Sequence, residues 1–185
     1  MVMARTRKVR ALQLRLPDNP VTHFDGGLVN NSPEQRIIRL GIELPLPAKP
    51  RAARILMTRR LDNTLWVSGQ LPSWNGELPY VGKVGSKWTL KEAQLAARLS
   101  ALNVLAQARA ALENGLDDIQ SVINLRGYVA VEPSFWQVAD VVNGASDLMM
   151  EVFGDAGAHT RTAVGVASMP HDVAVEIEAL FELRI

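Results

Sequence analysis

The sequence predicts an α+β protein, with one mixed β-sheet and two long helices packed on one of its faces. Two segments, near 90–112 and 135–152, repeat apolar residues at steps of three and four, the period of a helix with one buried side. The segments between and around them are rich in Val, Ile and Leu. The last, 173–183, alternates apolar Val173, Val175, Ile177, Ala179, Phe181 and Leu183 with Glu176, Glu178 and Glu182, as a strand with one buried face does. A chain of 185 residues suits one domain with a proper core and is short for two.

The elements follow in order. Residues 1–31 hold five basic and two acidic residues, with no acid before Asp18, and Pro17, Pro20, Gly26 and Gly27 break any helix early. This segment reads as a disordered tail or extension, or as a targeting segment, outside a single domain spanning 32–185. Ser32-Pro33-Glu34-Gln35 opens a short helix, with Ser32 as N-cap, and Gly41 ends it. Pro45, Pro47 and Pro50 keep the next stretch extended. Strands are expected at 53–59 and 64–69, joined at Leu61-Asp62-Asn63, followed by an ordered loop over 71–87. Trp74 and Trp88 need packing partners there.

Thr89-Leu90-Lys91-Glu92 is a capping box opening a helix that carries Leu95, Leu99, Leu102 and Leu105 on one face, with Gly115 placed to end it. A strand spans about 119–131. Ser134-Phe135-Trp136-Gln137 reads as a second capping box, opening a helix closed by Gly154. Gly144 inside that helix costs about 1 kcal/mol relative to alanine, so it marks a close contact or a break. Strands at 161–168 and 173–183 complete the order β-β-α-β-α-β-β.

Composition excludes several chemistries. There is no cysteine, hence no disulfide, thiolate metal site or cysteine nucleophile. His23, His159 and His171 are far apart and form no spaced ligand set, which argues against a metal site. No glycine-rich phosphate loop occurs. Residues 32–185 carry a net charge of −2, which argues against a broad nucleic-acid surface. No apolar run is long enough to span a membrane, and a cytoplasmic location is expected, or a mitochondrial one if 1–31 is a targeting peptide.

Three separated motifs add to this. Gly157 to Pro170 with Arg161 opening the strand, continuing to Val175-Glu176-Ile177-Glu178, resembles the C-terminal motif of the YjgF/Rid (reactive intermediate deaminase) family. Val67-Ser68-Gly69-Gln70-Leu71-Pro72 resembles its S-G-Q-x-P segment, and Val142-Asn143-Gly144 falls where the family has a helix bearing an asparagine. The resemblance covers about 32–185. It implies the chorismate-mutase-like fold of the bacterial trimeric type and homotrimers with sites between subunits. It also implies cofactor-free hydrolysis of enamines and imines such as 2-aminoacrylate to keto acid and ammonia. Many members also carry the label endoribonuclease L-PSP.

By that resemblance Arg161 would hold the carboxylate of a small 2-imino acid through its planar fork, and Glu176 would position the attacking water. Ser68 and Asn143 would line the cleft. Read alone, Arg161 is a strand-end surface group, Glu176 one of three acids on a solvated strand face, and Asn143 a cap before Gly144. Ser68 alone bonds its own backbone, and His159 is a surface histidine. The chain departs from the family pattern at Ile55, where an aromatic is usual, and at His159 and Thr162, which flank the arginine. A non-catalytic carboxylate binder and, with less support, a ribonuclease are the alternatives to the deaminase.

Overall fold

The computed structural model describes residues 31–49 and 54–185. The basic segment, apart from Asn31, and the first predicted strand residue lie outside the described residues. Among the described residues no helix is long and apolar enough to cross a membrane.

Ser32 caps α1 (Pro33–Arg39) by accepting the Gln35 N–H, with proline at the first turn, and Gly41 takes the left-handed conformation (φ 62°) that turns the chain out. β1 (Thr58–Leu61) and β2 (Thr64–Gln70) form a hairpin over Asp62-Asn63, with Asp62 at φ 51°. The first strand is therefore shorter than predicted and begins at Thr58. The loop tryptophans are packed as their size requires. Trp88 stands edge-on to the buried Tyr80 at 5.2 Å and donates its indole N–H to the Val81 carbonyl at 3.1 Å, and Trp74 rests against the core.

The Thr89 capping box forms in full and opens α2 (Leu90–Ala111). This helix is buried on every side from Ala96 to Ala108, because the segment before the hairpin and the loop after it cover its outer face. Asn103 donates to the Ser73 carbonyl at 2.7 Å and Gln107 to the Ala48 carbonyl at 2.7 Å, so buried polar side chains fasten that covering. The helix ends at Ala111. Gly115 opens a short 3₁₀ turn (Gly115–Asp118) instead of capping α2, as the Glu34 carboxylate accepts the Leu116 N–H at 3.0 Å and rebuilds the junction.

β3 (Ile119–Ala130) leads to α3 (Val138–Phe153), which starts three residues later than the Ser134 box predicts. The chain leaving β3 is bound elsewhere: Glu132 N–H donates to the Val84 carbonyl at 3.0 Å, and the Glu132 carboxylate accepts from Ser86 at 3.0 Å. Those long-range bonds hold 132–137 as a turn, and Gln137 precedes α3 with no side-chain cap. Gly154 (φ 61°) ends the helix and begins a 3₁₀ turn to Gly157. β4 (Thr160–Val166) and β5 (Val175–Leu183) follow.

The five strands run in the order β1-β2-β5-β3-β4, antiparallel except for β3 beside β4. Hence the sheet is mixed, and β4 is an edge. Leu65, Val67, Leu125, Val175, Ile177, Ala179 and Phe181 point into a core closed by α2 and α3. The other face carries Trp66, Arg126, Tyr128, Glu176, Glu178, Leu180 and Glu182 and has no helix over it.

Candidate functional site

Arg161 is the second residue of the edge strand β4. It lies beside Leu125 in register, and Leu125 is fully buried under the helices, so Arg161 shares the helix-covered face. Its Nη1 donates to Asn143 Oδ1 at 2.8 Å and to Ser146 Oγ at 3.0 Å. Asn143 and Ser146 are three residues apart on α3 and therefore present one face. The half-buried arginine is thus held by two neutral oxygens. Among the described residues no carboxylate is paired with it, and its Nε and Nη2 donate to no group.

Helix α3 can present those oxygens because glycines let it sit close. A Cβ at Gly144 would strike the Gln94 carbonyl of α2, and one at Gly127 would strike the Val142 side chain. Gly144 is therefore a close contact and not a break. At the far end, Gly157 packs on the Met149 carbonyl, where a side chain has no room.

His159 closes the cluster. Its Nδ1 lies 2.6 Å from the Gly157 carbonyl and its Nε2 lies 3.0 Å from Ser146 Oγ. A carbonyl only accepts, which assigns the ring proton to Nδ1. Burial holds the His159 pKa below its usual value, against the raising effect of its bond to the Gly157 carbonyl, and the Arg161 charge lowers it further, so the ring is neutral at neutral pH. Asp147, next along α3, has its carboxyl raised by burial and then by Glu151, against the opposing pull of Arg98 and Arg161.

Glu176 is elsewhere. It is half-buried on the open face of β5, across from Tyr128, with its carboxylate lying directly over Gly69. Burial raises its pKa, and neighbouring Glu178 raises it further. Ser68 belongs to the same open face, where Trp66, Ser68, Asn124, Arg126, Glu178 and Leu180 line a shallow depression. Ser68 donates to the Leu56 carbonyl at 2.7 Å, the backbone-bonding role that its residue type allows. Of the four residues the sequence singled out, Arg161 and Asn143 come together, while Glu176 and Ser68 lie across the sheet. Two strand spacings and three residue rises put Arg161 and Glu176 roughly 14 Å apart along the sheet.

Ser146 and His159 were not among those four. Ser146 could have been found from its i+3 relation to Asn143, which puts both on the helix face that carries the candidate asparagine. His159 gives no such signal, because its role depends on the turn that carries the chain from α3 back to β4.

The family model described as "YjgF/chorismate_mutase-like, putative endoribonuclease" matches residues 34–183. The chain belongs to this family. Its fold, three helices with a mixed five-stranded sheet, is the YjgF/chorismate mutase-like one. Protein TCP17 of Trypanosoma cruzi is 44% identical over 147 residues, covering 79% of this chain and 91% of that protein. The crystal structure of Atu1372 from Agrobacterium tumefaciens, a protein of unknown function, is 42% identical with a TM-score of 0.75, covering 83% of this chain and 94% of that one. E. coli TdcF with bound serine is 28% identical with a TM-score of 0.53, over 77% of this chain and 94% of its own. The far higher TM-score of Atu1372 groups this chain with that protein more closely than with TdcF.

Proposed function

We propose that the protein hydrolyses small 2-imino acids and their enamines to the 2-keto acid and ammonia, in a cleft where Arg161 holds the substrate carboxylate. The observation that carries this reading is the unpaired fork of Arg161. A half-buried guanidinium fixed on one nitrogen by neutral oxygens, with its other donors unused among the described residues, is set up to take a carboxylate through two charge-assisted bonds. That E. coli TdcF holds serine, a small amino acid, supports the same ligand class.

The chemistry needs little else. Water adds to the C=N carbon, one proton passes to nitrogen, and the resulting carbinolamine releases ammonia as the carbonyl forms. Orientation of the substrate and one proton-shuttling group suffice. Glu176 suits the shuttle, since burial lifts its carboxyl toward neutral pH. Because it lies on the opposite face of the sheet from Arg161, a cleft containing both requires two copies of the chain. We therefore propose a homotrimer in which the open face of one subunit meets the β4 edge of another. The exposed Trp66 and Val164 on the open face support this, as they gain a cover by assembly.

A second reading, a carboxylate-binding member without catalysis, is favoured by one observation. Ile55, where the family pattern has an aromatic, is 54% exposed and offers a flexible aliphatic where a flat ring would close the cleft. Generating 2-imino acids in situ with an amino-acid oxidase and following ammonia release separates the two. Accelerated release supports the deaminase. Carboxylate binding with no acceleration supports the binder.

A further inference from the structure

We infer that Ser146 and His159 are positioning residues for this site: the Gly157 carbonyl, the His159 ring and the Ser146 hydroxyl form a proton-ordered chain that aims the Arg161 fork. The inference rests on the carboxylate reading above for its purpose, though not for its geometry.

The chain admits one arrangement of hydrogens. Arginine only donates, so Ser146 Oγ accepts from Arg161 Nη1, and the single hydroxyl hydrogen turns to His159 Nε2. Nε2 must then be bare, which leaves the ring proton on Nδ1, where Gly157 accepts it at 2.6 Å. The Gly157 turn is itself pinned against the last turns of α3 by its contact with the Met149 carbonyl. Backbone position is thereby passed through two side chains to the guanidinium, and rotation of the fork would break the sequence of bonds. Asn143 fixes the same nitrogen from the preceding helical turn.

The arrangement works only with a neutral ring. A proton added at Nε2 would confront Ser146 with two donors and place an imidazolium one oxygen away from the guanidinium. The charged group facing the ring is Arg161 from β4, and Asp147 of α3 senses that same arginine.

The test uses the full chain, with pyruvate as the probe and NMR of the imidazole nitrogens between about pH 5 and 8. In the parent protein the Nδ1–H tautomer is expected, titrating below the ordinary 6.5. The midpoint is expected to rise in Arg161→Ala, which removes the neighbouring positive charge. Ser146→Ala and His159→Ala should each weaken pyruvate binding about tenfold, the loss of one oriented charge-assisted bond. The double variant should be no weaker than either single one, because both act through the same link. Ser146→Thr, which keeps the hydroxyl, should bind within about threefold of the parent. Losses that add in the double variant, or an Nε2–H tautomer in the parent, would overturn the inference. If the parent binds no pyruvate, the proposed function fails and the ring tautomer alone decides the relay. If His159→Ala does not fold, the Ser146→Ala and Ser146→Thr pair keeps the test: equal binding in the two rejects it.

Discussion

Replacing Gly144 by alanine adds one methyl where α2 and α3 approach most closely. On propensity alone the change favours the helix by about 1 kcal/mol. In this structure the new carbon would fall on the Gln94 carbonyl oxygen, 2.7 Å from the carbonyl carbon and 3.1 Å from its Cα. These are main-chain atoms of α2, so no rotamer change relieves the overlap and one helix must move. Overpacking costs about 1–3 kcal/mol, and backbone overlap belongs at the upper end. The net result is a loss of about 2 kcal/mol, or roughly 4–8 °C in melting temperature for a chain of this size. Asn143 and Ser146 flank the methyl, so the same movement displaces the oxygens that hold Arg161, and carboxylate binding should weaken in parallel. Calorimetric melting and pyruvate titration of Gly144→Ala measure both effects. A variant melting at or above the parent would refute the close contact, leaving only the propensity gain.

Other expectations can be measured directly. Glu176→Gln should abolish most imine hydrolysis yet melt no lower than the parent at neutral pH. A carboxyl raised by burial binds its proton more readily folded than unfolded, so its ionised form destabilises at high pH, and that penalty disappears as pH falls through the folded pKa. A comparison of melting curves across pH should therefore show the two proteins converging in acid. Arg98 and Glu151 form a buried two-bond pair between α2 and α3, at 2.8 and 2.7 Å. Arg98→Met strands the carboxylate and should cost about 3–5 kcal/mol, while Arg98→Met with Glu151→Leu should recover most of it; urea unfolding of both variants decides. Light scattering at micromolar concentration should report the mass of three chains, and a monomer would remove the shared-cleft proposal.

The elements set by local chemistry were legible in the sequence. Thr89 with Glu92, Ser32 with Pro33, and the Gly41 and Gly154 ends all stand as read, because each depends on atoms within four residues. The alternation in β5 gave the buried face correctly, and with it the open position of Glu176. What failed were local patterns overruled by distant partners. Ser134 to Gln137 has a good capping sequence, but Val84 and Ser86 claim Glu132 and hold the chain in a turn. Gly115 was placed to end α2, and Glu34, far away in sequence, recruits the following residues into a 3₁₀ turn. At the site, the motifs gave Arg161 and its partner Asn143, while the division of Arg161 and Glu176 between two faces depended on strand order, which spacing does not encode. His159 looked like a surface group because nothing nearby in sequence shows that α3 brings Ser146 beside it.

On the proposed reading, Arg161 grips a carboxylate through its fork. Titrating pyruvate into the parent, Arg161→Lys and Arg161→Ala, with melting temperature and mass recorded for each, tests it most directly. Lysine keeps the charge and loses the two-bond geometry, so its affinity should fall by about tenfold to a hundredfold, the worth of one charge-assisted bond. Alanine should bind less still, with all three proteins folded and of equal mass. Parent-like binding by both variants would rule out the carboxylate grip. So would unfolding or dissociation of both, which would make the arginine a structural tie between β4 and α3.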